Sequence, residues 1–314
     1  MVKKNTDYSV IICTYNGGAY IAEQLISILA QTILPVRIII FDDASLDNTL
    51  DKCIRVFEQE EYTDYDIFNV KNGSACLNFI SAILNYNNNT SYLFLADQDD
   101  VWINEKAEKQ IYMQDCDPYR NAVLCYSSSV ITDESLKPIA ADFYSFQGIS
   151  RNVLEDDSIF FKNCVQGATI MLSQKAVSNI KMLTSYANIN NIAMHDWWAA
   201  LIIKYFGGSF YYINEPLIYY RQHKNNQVGV KNTPYYFLLH PYSYLGSFFN
   251  LLKQYNEFRL AVSNLERFQT SEKIYDECVN LKEIKQGKLK VNNLPLLKRI
   301  LIKLFLFLAY GTVS

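Results

Sequence analysis

The chain lacks the marks of several large protein classes. Its seven cysteines (13, 53, 76, 116, 125, 164 and 278) are odd in number, scattered, and include no CxxC pair. That pattern excludes a disulfide framework or a zinc site and implies reduced thiols in a cytosolic protein. There is no excess of positive charge: the net charge is −3, which argues against nucleic acid as the main partner. No run reaches the ~18 uninterrupted apolar residues that would cross a bilayer. The start, Met1 to Asp7, is polar and followed by only a short apolar run, so it does not read as a signal peptide. Neither GxGxxG nor GxxxxGK[ST] occurs, so no glycine loop is available for a pyrophosphate. A nucleotide bound here must have its charge met by a metal and by side chains.

What is present is a chain of 314 residues, half hydrophobic and 19% charged, enough for one large domain or for a core domain with an appendage. Its 24 tyrosines and 18 phenylalanines suit sugar stacking, membrane interfaces and ordinary cores alike. The first half alternates strand and helix patterns. Tyr8–Cys13 reads as a buried strand and Thr14–Gly18 as a glycine-bearing turn. Ile21, Leu25, Ile28 and Leu29 then recur at helical spacing. Arg37–Phe41 is a second strand ending in Asp42 and Asp43, and Ser45 with Asp47 reads as the cap of a helix reaching about Gln59. A third strand near Asp66–Val70, a helix from about Cys76 to Asn85, and a strand at Leu93–Ala96 complete the series. Apolar, non-alternating strands separated by helices imply a mainly parallel sheet covered on both faces, with every strand's C-terminal end along one edge. Ligands of such sheets bind at that edge.

Three successive strand ends are polar: Thr14-Tyr15-Asn16, Asp42-Asp43 and Asp97-Gln98-Asp99-Asp100. Three carboxylates within four positions repel one another unless a cation neutralises them. Hard oxygen ligands suit Mg²⁺ or Mn²⁺, and such ions commonly bring a phosphate. In the second half, Ala122–Ser129 and Cys164–Leu172 read as strands, the latter broken at Gln166-Gly167. His195-Asp196-Trp197-Trp198 opens an apolar helix ending near Gly207, and Leu217–His223 reads as a last strand. From about Pro234 the pattern turns helical: Tyr235–Tyr255 is aromatic-rich, and Phe258, Ala261, Leu265 and Phe268 form a stripe. The segment 294–310 is apolar, with Lys298, Arg299 and Lys303 on one side. It suits either a membrane interface or docking on protein.

The ordered set Val10–Asn16, Ile39–Ser45, Ala96–Trp102, Met194–Trp198 and Tyr219–His223 resembles the inverting nucleotide-sugar glycosyltransferases of family 2, which have the GT-A fold. The spellings Asp-Gln-Asp-Asp-Val-Trp, Met-His-Asp-Trp and Tyr-Arg-Gln-His look most like bacterial rhamnosyltransferases of rhamnan and polysaccharide assembly. The resemblance implies an α/β, Rossmann-like GT-A catalytic domain over 1–232, with a nucleotide-sugar half (about 1–103) and an acceptor half (about 104–232). Residues 233–314 would be a helical extension. It also implies a donor site of Thr14, Tyr15, Asn16, Asp42, Asp43, Asn78, Asp97, Gln98, Asp99, Gln166, Gly167 and Arg221. Tyr15 would stack on a pyrimidine, and Asp43 or Asp42 would accept from its N3–H. Mg²⁺ or Mn²⁺ would be held among Asp99, Asp100 and His223, with the direct ligand among Asp97, Asp99 and Asp100 left open. Asp196 would be the catalytic base, its pKa raised by Trp197 and Trp198, which would also offer a platform to sugar, with one of the two belonging to the core. Val101-Trp102 would pack beneath the acidic loop. The implied enzyme is a hexosyltransferase moving L-rhamnose from dTDP-L-rhamnose to a glycan or lipid-linked glycan, peripheral at the inner face of the cell membrane. A homo-oligomer is compatible with these residues. The alternatives are a UDP-hexose donor, or a non-catalytic module that binds a glycan or nucleotide-sugar.

Overall fold

The computed structural model describes residues 6–87, 90–114, 122–224, 226, 241–268 and 289–310. Cys116, Cys278, His240 and the start of the expected aromatic-rich helix (235–240) lie outside these. The chain divides into two compact units, one comprising 1–148, 166–178 and 209–232, the other 149–165, 179–208 and 233–314. The division read from sequence at residue 232 follows the end of strand–helix alternation. By contacts, 149–165 and 179–208 group instead with the C-terminal residues.

The first unit is built on a nine-stranded sheet among the described residues, ordered β3-β2-β1-β4-β8-β6-β9-β5, with β7 beside β6. Its strands are β1 (Tyr8–Thr14), β2 (Arg37–Asp42), β3 (Tyr65–Asn69), β4 (Tyr92–Asp97), β5 (Val101–Trp102), β6 (Val123–Thr132), β7 (Pro138–Ala140), β8 (Met171–Ser173) and β9 (Ser209–Arg221). β1 to β4 run parallel, with Cys13 opposite Asp97 and Thr14 opposite Asp42. The polar strand ends therefore lie side by side. β8 and β5 enter antiparallel, whereas β6 and β9 pair parallel, so the sheet is mixed. Helices α1 (Ile21–Leu29), α2 (Thr49–Gln59), α3 (Ala75–Asn85) and α4 (Lys106–Gln114) fill the crossovers.

The apolar strand residues Val10, Ile12, Ile38, Ile40, Phe94 and Ala96 pack with Ile21, Leu25 and Ile28 of α1 and with Ile111 of α4 in one buried core. Each large aliphatic or aromatic side chain removed from water there contributes roughly 1.5–3 kcal/mol. That rigidity is what holds the edge loops in place. Trp102 is buried against Phe94, as expected for a residue beneath the acidic loop.

Two local readings are corrected. Cys164–Leu172 is not one strand: Gly167–Thr169 forms a 3-10 turn, and only Met171–Ser173 pairs as a strand. The cause is local, because the Thr169 hydroxyl donates to the Gln166 carbonyl (2.8 Å) and curls the chain there. The second helix starts at Thr49, with Asn48 rather than Ser45 at its N-cap position. Asp47, rather than Ser45, accepts from the Thr49 amide (3.0 Å), while the Ser45 hydroxyl is drawn back to Asp42.

The second unit is helical. It contains α7 (His195–Tyr205), α8 (Pro241–Phe268) and α9 (Leu296–Tyr310), with 3-10 turns at Arg151–Leu154, Asp157–Phe160 and Ile189–Asn191. α5 (Phe143–Gln147) lies in the first unit, and α6 (Gln174–Thr184) runs from one unit into the other. Phe160, Tyr205, Tyr255 and Phe258 form an aromatic cluster at the centre of the second unit. No helix among the described residues is long and apolar enough to cross a membrane.

Candidate active site

The β1 and β2 ends are locked to each other. Asp42 is fully buried. Its Oδ1 accepts from the Thr14 hydroxyl (2.7 Å) and the Ser45 hydroxyl (2.6 Å), and its Oδ2 from the Ser45 amide (2.8 Å). Hydrogen bonds to a charged acceptor are worth roughly 1.5–3 kcal/mol each, so this carboxylate is committed to holding the turn. The turn needs that anchor, because Asn16 and Ala44 both sit at positive φ (48° and 57°), a strained region for a residue with a Cβ. Asn16 is pinned as its amide donates to the Ser45 hydroxyl (2.8 Å) and its Oδ1 accepts from the Leu46 amide (2.8 Å).

Asp43 behaves differently from its neighbour. Its carboxylate accepts from the backbone amides of Asn72 (2.5 Å) and Gly73 (2.9 Å), which ties the loop after β3 to the loop after β2. Asn78 supports the same corner: it donates to the Phe41 carbonyl (2.7 Å) and accepts from the Asn72 amide group (2.9 Å). Tyr15 stands out from this framework, 54% exposed. The loop that carries it is clasped by Gln98, whose side-chain amide bonds both the amide (2.8 Å) and the carbonyl (3.1 Å) of Tyr15. Gly17 is required by that clasp, since a Cβ there would lie 2.1 Å from Gln98 Oε1.

At the β4 end the acidic run is organised by Arg221, the last residue of β9. Its amide donates to Asp100 Oδ1 (3.2 Å) and its Nε to the Asp99 carbonyl (2.9 Å). Nη1 reaches the Glu134 carbonyl (2.6 Å) and Nη2 reaches Glu23 Oε2 (2.5 Å). The guanidinium lies 4.8 Å from the Tyr20 ring centre. Tyr20 in turn packs on the imidazole of His223 (4.7 Å), and His223 Nε2 meets Asp99 Oδ2 at 2.8 Å. Asp99, Asp100, Arg221 and His223 thus converge, together with Glu23 and Tyr20, which the sequence reading missed. Tyr20 immediately precedes α1 and Glu23 lies in its first turn, where no local pattern distinguishes them from ordinary surface residues. Asp97 closes the β4 strand, half-buried, with its backbone beside Cys13.

Burial, reinforced by the charges of Asp99 and Asp97, holds the Asp100 carboxyl well above the usual carboxylate range. Its Oδ2 is buried with no hydrogen-bond partner among the described residues. Lys106 lies below, fully buried, its Nζ 4.0 Å from the Trp102 ring centre and bonded to Gln110 Oε1 (2.8 Å). Burial pushes this ammonium down to about 7.

Among the described residues no three His, Cys, Asp or Glu side chains form a ready metal cage. Mg²⁺-type sites do not demand one, because such ions are often bound through one or two carboxylates plus substrate phosphates and waters. Two carboxylates and an imidazole, with one carboxylate oxygen unsatisfied, are a suitable donor set for that arrangement.

Gln166 and Gly167 stand at the start of the 3-10 turn. Gln166 Oε1 accepts from the Ser129 hydroxyl (2.9 Å), and its Nε2 is buried with no partner among the described residues.

In the second unit Asp196 occupies the first turn of α7, where the helix dipole favours a carboxylate. It is 3% exposed. Oδ2 accepts from Asn163 Nδ2 (3.2 Å) and Oδ1 from the Trp197 amide (2.6 Å). Asn163 escaped the sequence reading, since it lies 33 residues away with no motif around it. Burial pushes His195 down to about 3, so the imidazole beside Asp196 is neutral. The expected sugar platform is corrected: both tryptophans are buried. Trp197 donates its indole N–H to the Ile159 carbonyl, and Trp198 donates its own to Thr184 Oγ1 (2.9 Å). They are core residues that fix α7.

The Glycosyl transferase family 2 model matches residues 9–177. The chain is 32% identical over 226 residues to the dTDP-rhamnosyl transferase RfbG of Shigella flexneri, covering 69% of this chain and 73% of that protein. It is 26% identical over 220 residues to the putative teichuronic acid biosynthesis glycosyltransferase TuaG of Bacillus subtilis (strain 168), covering 69% and 80%. Among solved structures, S. aureus TarS 1–349 in complex with UDP-GlcNAc matches with TM-score 0.54 at 13% identity, over 97% of this chain and 81% of that one. The mannosyltransferase PcManGT from Pyrobaculum calidifontis, in complex with GDP-Man and Mn²⁺, matches with TM-score 0.50 at 14% identity, over 85% and 66%. The mixed sheet with its helices is therefore of the GT-A type. The chain belongs to glycosyl transferase family 2, and it is a glycosyltransferase.

Proposed function

We propose that this glycosyltransferase moves L-rhamnose from dTDP-L-rhamnose, with inversion, onto a hydroxyl of a lipid-linked cell-surface polysaccharide intermediate. The donor assignment is supported by the 32% identity to a protein named a dTDP-rhamnosyl transferase. The observation that carries the reading is the strand-end cluster. An exposed aromatic at Tyr15 stands on a loop clasped by Gln98, beside an acidic corner at Asp43 and an Asp99–His223 pair.

In this reading Asp43 accepts from the N3–H of the pyrimidine. Asp42, with both oxygens bonded inside the turn, is the structural member of the pair. Asp99 and His223 would hold the divalent cation, in keeping with the Mn²⁺ of the mannosyltransferase PcManGT, with Asp100 buried behind them. Such an ion supplies Lewis-acid stabilisation of the departing diphosphate. Arg221 positions the acidic loop rather than clamping phosphate, because its donors are already engaged there.

Asp196 acts as general base. It takes the proton of the acceptor hydroxyl while that oxygen bonds to the anomeric carbon and the bond to the diphosphate breaks. The exposed apolar residues Leu296, Ile300 and Leu301 of α9 support contact with a membrane surface. Lys298 is not part of that face, since its Nζ donates to the Phe161 carbonyl (2.5 Å).

A panel of nucleotide sugars with Mn²⁺ tests the donor assignment. Thermal protection and nucleotide release are expected with dTDP-L-rhamnose, and vesicles of anionic lipid should co-sediment the protein. Release from UDP-hexoses with none from dTDP-L-rhamnose would replace the donor. Protection by every ligand without turnover would favour a binding module.

A further inference from the structure

We propose that α8 is the positioning wall of the catalytic base, acting through Gln254 and Glu257. The proposal rests on the reading of Asp196 as that base.

The chain entering α7 passes through the 3-10 turn Ile189–Asn191 and reaches Met194 just before the helix. One face of α8 grips this segment at spacings of three and four residues. Gln254, fully buried, accepts from the Ala193 amide through Oε1 (2.8 Å). Glu257, also buried, accepts from the Asn188 amide (2.6 Å) and from Asn191 Nδ2 (2.7 Å). One residue on, Phe258 meets the ring of Trp198 edge-on at 5.6 Å. Further along, Asn264 Nδ2 reaches the Tyr186 carbonyl (3.5 Å).

An amide three residues before Asp196 is thus held by the side-chain oxygen of Gln254. A buried glutamine and glutamate on the inward face of a long helix would weaken an ordinary helix–helix packing. Their oxygens are spent on the base-bearing segment instead. A displacement of the base by about 1 Å costs about 10²-fold in rate, so a single misplaced amide here is enough to be read kinetically.

The test uses the full chain with Mn²⁺ and follows dTDP release from dTDP-L-rhamnose, with water or octyl rhamnoside as acceptor. Gln254→Leu is expected to lower kcat by about 10–100-fold, leave the donor KM within about twofold, and move the acid limb of the kcat–pH profile. Gln254→Glu, which keeps the acceptor oxygen, is expected to restore kcat to within about threefold of wild type. Glu257→Ala, which removes both acceptor oxygens facing Asn188 and Asn191, gives the same readout should the leucine variant not fold. Equal losses in Gln254→Leu and Gln254→Glu, or a fall in kcat with the acid limb unmoved, would overturn the positioning role and leave only a stability role. Wild-type turnover in Asp196→Asn would instead remove the base assignment itself, so the two failures are distinguishable.

Discussion

Asp196→Asn is expected to lower glycosyl transfer by about 10²–10⁴-fold, the range a positioned general base supplies, while leaving the affinity for dTDP with Mn²⁺ within about twofold. The substitution is nearly isosteric. An asparagine oxygen can still accept from the Trp197 amide or from Asn163, so one of the two bonds at the first turn of α7 is kept. What disappears is the group that takes the acceptor's proton. The nucleotide contacts proposed here lie on β1, β2 and β4, on other segments of the chain, which is why binding should survive. Isothermal titration with dTDP, beside a transfer assay on the same preparation, separates the two quantities. Transfer within about twofold of wild type would dismiss Asp196 as the base, because a lost proton acceptor cannot be silent at that range.

Removal of the divalent cation by EDTA is expected to abolish transfer, with Mn²⁺ or Mg²⁺ restoring it. Asp99→Asn should erase most of that metal dependence. Asp99 is partly exposed, unlike the buried Asp100, and faces His223 at 2.8 Å. Neutralising it removes the negative charge that would hold the cation and face the imidazole. Loss of a ligand or of its orienting neighbour typically costs at least 10–100-fold in metal affinity, so dTDP should bind Asp99→Asn about equally with and without Mn²⁺. Arg221→Lys is the informative contrast, since a single ammonium cannot reproduce the fork to Asp99, Glu134 and Glu23. An enzyme that transfers at full rate in EDTA would rule out the metal at this site.

Much of the first unit was legible because its signals are local. Apolar runs too short for helices, each ending in a polar group, gave β1, β2 and β4 and the edge they share. The resemblance carried by the same residues pointed to glycosyl transfer. Where long-range contacts decide, the sequence is silent. Nothing near Asp42 says that its oxygens are spent on Thr14, 28 residues back, as well as on neighbouring Ser45, while Asp43 turns to Asn72 and Gly73. The adjacent aromatic pair at 197 and 198 read as half platform and half core. Both turned inward because the core lies on two sides of α7, against Ile159 and against Thr184. Cys164–Leu172 had strand-like residues, but one threonine hydroxyl at position 169 curled its middle. The polar stripe on α8 carries no motif at all. Gln254 and Glu257 become meaningful only once Ala193 and Asn188 are seen against them.

The anomeric configuration of the first-formed product, read by proton NMR before mutarotation or further processing, bears most directly on a mechanism with one base and a departing nucleotide. Direct displacement by an alcohol deprotonated at Asp196 predicts a linkage of configuration opposite to that of the sugar in the donor. A product that keeps the donor's configuration would contradict it.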